Sequence, residues 1–578
     1  MDQKPWLTHY DDGVPPTLRP YPQRTLVDVI ADTARQRPNH TALLFKGARM
    51  SYRQLERLSD AFASALVAFG VQKGDRVALL LPNTPQLIIA QVGAWKAGAI
   101  VAPINPLYSE PELADLLQTC GAEVVLTLTP YYAKVKAVQP RTRVRQVIAT
   151  NIKEYLPPHL RILFTLAREK KEGHRITLRR GDLWLGDMLH KYRRHPRPRV
   201  VVQPDDAAIL LFTGGTTGTP KAAVGSHQAL LMSGMQFQAW FPGIMEHWKD
   251  RLFLSLPLFH VYAQAAVLPT ALVGHHPIIL VPNPRDLDDT LATIHKARPA
   301  FVPGVPTLFN ALLNHPDVKA HKVDLTSVKL CISAAAPLML ETKQQFERLT
   351  GGHIIEGYAL TESMCAAVAT PPRGVYKRGA VGVPLPDVEV RIVDATLGQR
   401  EMATGEIGEI VMRAPQIMRG YWQDPAETAQ AIRDGWLFTG DLGYVDADGY
   451  LFIVDRKKDL IKCGGFQVWP REVEEVLATH PAVAEVGVAG VGDAHSGEAV
   501  KAWVVLREGE RVTVEELRDY CRARLAHYKA PKYIEFKEAL PKSMIGKILR
   551  RELVAADQLS QPPAPSAVVE ESRDEVHA

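Results

Sequence analysis

The sequence predicts an α/β fold, and three observations carry that prediction. Short apolar runs rich in β-branched residues, RVALLL at 76–81, AIVAPI at 99–104, EVVLTL at 123–128 and AAILLF at 207–212, are separated by segments of helix length. Runs without polar alternation are the pattern of parallel strands covered on both faces by crossover helices. Ser51, with Gln54 three residues on, is a capping box, and Leu55, Leu58, Phe62, Leu66 and Phe69 keep helical spacing up to Gly70. From 381 to 455 the texture changes to short strands punctuated by Gly and Asp-Gly, as in GEIGEIVMR and DADGYLFIVD, which predicts a partly antiparallel, barrel-like subdomain.

In chain order, LIIAQVGAWKAGAIVAPI (87–104) comes nearest to a membrane span, but Gln91 and Lys96 interrupt it and Pro103 ends it. It is read as a buried helix followed by a strand. The charged run DRKKD at 455–459 marks a boundary. A large N-terminal domain over 1–455 therefore holds the parallel sheets and the barrel-like subdomain, and a small, mobile α+β domain covers 456–555. The latter carries helix signals at REVEEVLATH and TVEELRDYCRARL and a strand signal at KAWVVL. Residues 556–578, rich in Pro, Ser and Glu, are expected to form a disordered tail.

Composition excludes several classes. Across 578 residues, 46% hydrophobic and 23% charged is ordinary for a folded globular chain. Lys and Arg number 68 against 63 Asp and Glu, a net charge of +5 that is too small for this length to imply nucleic acid. The excess is concentrated: 151–200 holds 13 Lys/Arg and 5 Asp/Glu. The five cysteines, 120, 331, 365, 463 and 521, are scattered and odd in number, which suggests neither a zinc site nor a disulfide framework and fits a reducing cytoplasm. The start, MDQKPWLTHYDDG, has acidic residues and no apolar run, so no secretory signal is expected.

The most informative stretch is LLFTGGTTGTPK at 210–221. Gly214, Gly215 and Gly218 let backbone N–H groups approach an anion, Thr213, Thr216, Thr217 and Thr219 offer hydroxyls, and Lys221 supplies a point charge. Such a loop suits phosphate. A Gly/Thr turn after a strand is the alternative, whereas a Walker loop is excluded because Lys221 follows Pro220 instead of leading into a helix.

Four further motifs follow in order: EGYALTES at 356–363, DGWLFTGDLG at 434–443, DRKKDLIKCGGFQVWPREVEE at 455–475 and PKSMIGKILRRE at 541–552. With the loop, they resemble the adenylate-forming superfamily from about Thr41 to Leu553, and the segment APQIMRGYWQDPAET makes the chain look most like bacterial long-chain fatty acyl-CoA ligases. The resemblance implies ATP and Mg²⁺ as cofactors and coenzyme A as co-substrate. Fatty acid would be activated to acyl-adenylate with release of pyrophosphate, and the CoA thiol would then displace AMP.

It also implies roles for individual residues. The Thr213 to Lys221 loop would grip the β- and γ-phosphates; Thr361 would contact the α-phosphate; Glu362, with Thr216, would serve Mg²⁺. Ala334, Ala335 and Ala336 would line the nucleotide pocket, Gly357, Tyr358 and Ala359 would flank adenine, and Asp441 and Arg456 would hold the ribose or its phosphate. Ala359 and Ala222 stand where most relatives have Gly. His260 would lie between the carboxylate site and the thiol's route, although a lone His between Phe259 and Val261 reads equally as a core residue. Some long-chain relatives have a gating Trp four residues after this His, and here Gln264 replaces it. Lys547 would neutralise carboxylate and α-phosphate, Lys458 would be the hinge, and Lys462, Gly464 and Gly465 would approach pantetheine.

Alternatives remain open on sequence alone: a ligase for medium-chain or aryl acids, acyl transfer to a carrier protein, or an inactive nucleotide-binding sensor. The last predicts loss of a key charge, yet Lys221, Glu362, Asp441, Arg456 and Lys547 are all present. The basic stretch 155–199, with Leu160, Ile162, Leu163 and Phe164, adds the expectation of peripheral contact with the inner face of an anionic membrane, a solvated basic face being the other reading. Chain length and oligomeric state are not legible.

Overall fold

The four apolar runs become neighbours in one seven-stranded sheet. Its spatial order is Leu183–Trp184, Gln146–Thr150, Val124–Leu128, Arg76–Leu80, Ile100–Pro103, Ala207–Thr213 and Lys221–Ser226. Pairing is parallel except at the last pair, where Ala207–Thr213 and Lys221–Ser226 run antiparallel. The computed structural model describes residues 4–213, 220–463, 466–493, 496–542 and 548–560, in two compact units, Met1–Ile453 and Val454–Ala578.

The capping box forms as its residues predict: Ser51 Oγ accepts from the Gln54 N–H at 3.3 Å and Gln54 Oε1 accepts from the Ser51 N–H at 2.8 Å, opening the helix Tyr52–Ala68. Gly70, at φ +81°, turns the chain beyond its end. The helix Pro85–Lys96 is buried along its whole length and leads into Ile100–Pro103, as read from 87–104. Among the described residues no helix is long and apolar enough to cross a membrane.

A second sheet of fourteen strands has a parallel middle: Thr41–Phe45, Ile278–Leu280, Leu252–Leu254, Phe301–Gly304, Leu330–Ala334 and His353–Tyr358. The Gly-punctuated region is antiparallel, with strands Ala380–Pro384, Glu389–Val393, Gly408–Arg413, Trp436–Val445 and Leu451–Arg456 that continue the edge of this sheet.

In the smaller unit the strands Val483–Asp493 and Gly497–Leu506 form an antiparallel pair, and Tyr533–Phe536 lies parallel to the latter. Helices Pro470–Ala478 and Val514–Arg522 bury Val473, Leu477, Leu517 and Cys521 against Val488, Val500 and Val504. Residues 556–560, expected to open the tail, are helical. The helix Arg550–Ser560 runs past residue 556 because the buried Asp557 carboxylate pairs with Lys501, an anchor that composition does not reveal. Residues 561–578 lie outside the described residues.

Lys96, which argued against a membrane span, has a side chain 0% exposed. Its ammonium reaches Glu56 at 2.9 Å, Asp60 at 2.7 Å and the Ser59 hydroxyl at 2.9 Å, all on the Tyr52–Ala68 helix. An unpaired charge here would cost several kcal/mol, so the ionic cluster fixes how these two helices meet. Lys96→Ala is expected to lower stability by about 3 kcal/mol. Urea unfolding checks this, and an unchanged midpoint would remove the cluster's role.

Candidate active site

The adjacent parallel strands Leu330–Ala334 and His353–Tyr358 are in register with Ala334 opposite Gly357. Both therefore end together at their carboxyl ends, the edge at which open α/β sheets take ligands. Ala335 adopts φ +72°, uncommon for a residue with a Cβ, as the chain turns away. The buried Glu356 draws the following loop inward, accepting from the Leu338 N–H at 3.1 Å and the Tyr376 hydroxyl at 3.3 Å. Ala336 lies on that loop, between Ala335 and Leu338.

Tyr358, at the end of its strand, donates its hydroxyl to Asp441 Oδ2 at 2.7 Å. Asp441 is 5% exposed, and its N–H donates to Thr439 Oγ1 at 3.1 Å, with Gly440 between them at φ +70°. The bond joins an aromatic face to a carboxylate from a strand 83 residues away, the pairing a nucleoside base and ribose require. Ala359 follows directly.

On the other sheet, the register places Thr213 opposite Lys221. The strands on either side of 214–219 thus run antiparallel, in keeping with the exclusion of a Walker geometry; Gly214, Gly215, Thr216, Thr217, Gly218 and Thr219 lie outside the described residues. A strap runs along the Lys221–Ser226 strand, with the Val224 N–H donating to Gly420 O at 3.0 Å and the Trp422 N–H to Ala222 O at 2.8 Å. The strap aims two side chains that sequence reasoning did not single out. Tyr421 donates to Glu362 Oε1 at 2.9 Å, while Lys221 sits 5.4 Å from the Tyr421 ring centre and 2.5 Å from Glu427 Oε2. Burial and the Glu362 charge push the Tyr421 phenol well above its ordinary pKa, so it stays a donor. Among the described residues Glu362 Oε2 accepts no hydrogen bond, and a carboxylate with one oxygen held and one spare suits a hard cation. The only sequence signal for the pair was their place in the APQIMRGYWQDPAET segment.

Thr361 and Glu362 lie in a turn that Ser363 closes: the Leu360 N–H donates to Ser363 Oγ at 3.1 Å, and Ser363 Oγ donates to Leu360 O at 3.0 Å. Met364 and Cys365, both buried, follow at φ +47° and +59°, a strained pair of the kind that clusters at functional sites. Cys365 Sγ lies 3.5 Å from Val261 O and ties this turn to His260. The half-buried His260 accepts the Tyr262 N–H on Nδ1 at 3.2 Å, just ahead of a π-helical turn at Tyr262–Val267. In that turn Gln264 is buried and exchanges two 2.8 Å amide hydrogen bonds with Gln91. The residue standing in place of a Trp is therefore held by the helix that contains Lys96. Phe301, Phe309 and Met364 to Val368 are buried.

In the smaller unit Arg456 ends the strand Leu451–Arg456, Lys458 lies exposed in the turn Lys457–Asp459, and exposed Lys462 has its N–H 2.6 Å from Glu498 Oε2. Gly464, Gly465 and Lys547 lie outside the described residues. Arg550 is forked onto Glu474 at 2.7 and 3.0 Å and reaches Asp459 at 3.0 Å and Asp455 at 3.5 Å. Asp455 also accepts the N–H groups of Arg456 and Arg471, each at 2.8 Å. This ionic knot ties the Lys457–Asp459 turn to the start of the final helix.

Comparison with known proteins matches residues 30–422 to the family described as AMP-binding enzyme and residues 472–547 to the AMP-binding enzyme C-terminal domain. The chain is 40% identical over 557 residues to a long-chain-fatty-acid–CoA ligase of Bacillus subtilis, covering 96% of this chain and 98% of that one. It is 37% identical, over 95% and 98%, to one of Salmonella typhimurium. Among solved structures it resembles the anthranilate CoA ligase AuaEII in complex with anthranoyl-AMP, with TM-score 0.79, 27% identity and coverage of 93% and 98%.

Because Tyr421 holds Glu362 through one hydroxyl, Tyr421→Phe is expected to weaken binding of ATP with Mg²⁺ by about 10-fold while leaving the fold intact. Titration calorimetry with unchanged affinity would show that Glu362 needs no such support.

Proposed function

The chain belongs to the AMP-binding enzyme family, and from that premise we propose that it is a long-chain fatty acid–CoA ligase. In the first step a carboxylate oxygen of the acid attacks the α-phosphorus of ATP and pyrophosphate leaves. In the second, the CoA sulfur attacks the acyl carbon and AMP departs with the electron pair of the anhydride oxygen.

The observation that carries the activation chemistry is the chain of contacts Lys221, Tyr421, Glu362, which sets a cation beside a carboxylate for two ends of one polyanion. Mg²⁺ would supply positive charge to offset the phosphates. Glu362 and the Thr216 hydroxyl would hold it. Tyr358 and Asp441 orient adenine and ribose, already joined by their own hydrogen bond. Lys221 pairs with Glu427, and it would grip phosphate together with the loop hydroxyls and N–H groups. His260 would stand between the carboxylate site and the thiol's route, and Arg456 would serve the ribose. The near full-length likeness to long-chain ligases supports the substrate class, and such acids partition into bilayers, so we place the work peripherally on the inner face of a membrane.

The buried Gln91 and Gln264 pair favours one second reading. Two amides facing each other are a polar feature where a long aliphatic chain would prefer hydrocarbon, and the likeness to an anthranilate ligase fits an aryl or shorter acid.

Pyrophosphate release measured from acetate to oleate, with and without CoA, is expected to peak at long chains and to need CoA only for turnover beyond the first equivalent. A flat or acetate-centred profile would overturn the long-chain assignment. We further propose that Lys547 serves adenylation and the Lys462 to Gly465 loop serves thioester formation, with Lys458 as the hinge. Lys547→Ala should lower adenylate formation by 100-fold or more, on the order expected for a lost charge stabiliser, yet still convert supplied acyl-adenylate to thioester. Gly465→Leu should do the reverse. Equal loss of both half-reactions in Lys547→Ala would rule out the division of labour.

A further inference from the structure

Pro158–Ala167 is a ten-residue helix with no buried side chain. At about 3.6 residues per turn, His159, Ile162, Leu163 and Leu166 share one face. Ile162, Leu163 and Leu166 are 63%, 60% and 82% exposed. This reverses the usual arrangement, in which the apolar stripe of a surface helix turns to the core. The inward side is occupied by Phe164, edge-on to His174 at 5.2 Å, and by Thr165, which accepts from Lys153 at 3.3 Å.

The outward face is held there by a built support. Lys153 pairs with Glu169 at 2.6 Å, Asn151 Nδ2 donates to Glu169 at 3.2 Å and to His174 O at 3.1 Å, and His174 Nδ1 meets the Thr129 hydroxyl at 2.7 Å. Asn151 directly follows the strand Gln146–Thr150, so the residues just after the helix are tied to the end of that strand. On the helix and in the chain that follows it, Arg161, Arg168, Lys170, Lys171, Arg175, Arg179 and Arg180 are all exposed. The acids within 158–180 are Glu169, bound to Lys153, and Glu172, which lies 3.7 Å from Arg168.

We propose that this helix is an interfacial anchor that lays Ile162, Leu163 and Leu166 into an anionic phospholipid surface, with the flanking Lys and Arg on the headgroups. At roughly 15 Å the helix is half the thickness of a hydrocarbon core, so it lies in the plane of the interface. Charge decides the occupant. A second copy would bring two dense positive patches together, and three aliphatic side chains offer far less than the roughly 1,200 Å² of a stable interface. An anionic bilayer satisfies the aliphatic face and the cations together. The purpose of the anchor rests on the proposed fatty acid substrate, but its geometry does not.

The test is sedimentation of the full chain with vesicles of phosphatidylcholine alone or mixed with phosphatidylglycerol, at low and high salt, with thermal midpoints recorded. Binding is expected only with the anionic vesicles and should weaken as salt rises. The triple variant Ile162→Ser, Leu163→Ser, Leu166→Ser should lose about 10-fold or more in partitioning, as should Arg168→Gln, Lys170→Gln, Lys171→Gln, both with unchanged midpoints. The proposal is overturned if the wild type stays in the supernatant, if the aliphatic variant binds as well as the wild type, or if that variant converts a dimer to a monomer in gel filtration. Vesicle binding together with failure to turn over long-chain acids would instead count against the proposed reaction.

Discussion

Every charge this chain takes out of water has to be matched by a partner, and most of its architecture follows from how that is done. Lys96 lies on a fully buried helix and is matched by Glu56 and Asp60 from the next one. Asp557 is matched by Lys501, which holds the last helix in place, and Arg550 gathers Glu474, Asp459 and Asp455. The same requirement shapes the candidate site, with a difference in kind. There, among the described residues, the pairs are incomplete: the Glu362 carboxylate is held by a phenol, and Lys221 by a partly exposed Glu427. A phenol orients a carboxylate without neutralising it, which leaves negative charge for a cation. A surface ion pair is weak enough to exchange for phosphate.

The site is therefore assembled from groups whose partners are adequate for folding and inferior to a ligand. Backbone geometry follows the same division. Regular strands run up to Ala334 and Gly357, and the uncommon conformations at Ala335, Met364 and Cys365 come only after the strands have ended. The π-helical turn beyond His260 adds one more irregularity at that edge. Rigid sheets fix where the strands stop, and at this edge Ala335, Met364 and Cys365 take conformations that residues with a Cβ seldom adopt.

How much was legible in the sequence depends on the range of the interaction. Apolar runs, the Ser51 and Gln54 cap and the buried helix at 87–104 are local patterns, and each became the element it predicted. The loop before Lys221 was read as a phosphate holder from its residue types, and the antiparallel strands that flank it agree with the exclusion of a Walker loop. The extent of the last helix was misjudged because Pro, Ser and Glu composition is a local signal, whereas the ion pair that orders Asp557 comes from Lys501, 56 residues earlier. Tyr421 and Glu427 were missed for the same reason. Neither carries a local signature, and their meaning depends on residues 59 and 206 positions away.

By itself, then, the sequence determined the α/β class, the order of elements and the types of residue available for nucleotide chemistry, because these rest on side-chain periodicity, glycine spacing and charge. Tertiary structure alone decided which of those residues share a site. It joined Tyr358 to Asp441, hung Glu362 on Tyr421, locked Gln264 to Gln91 and turned the aliphatic face of Pro158–Ala167 outward. The physical reason is that strand register and helix packing set distances between residues far apart in the chain, and a hydrogen bond or ion pair exists only where those distances close to about 3 Å.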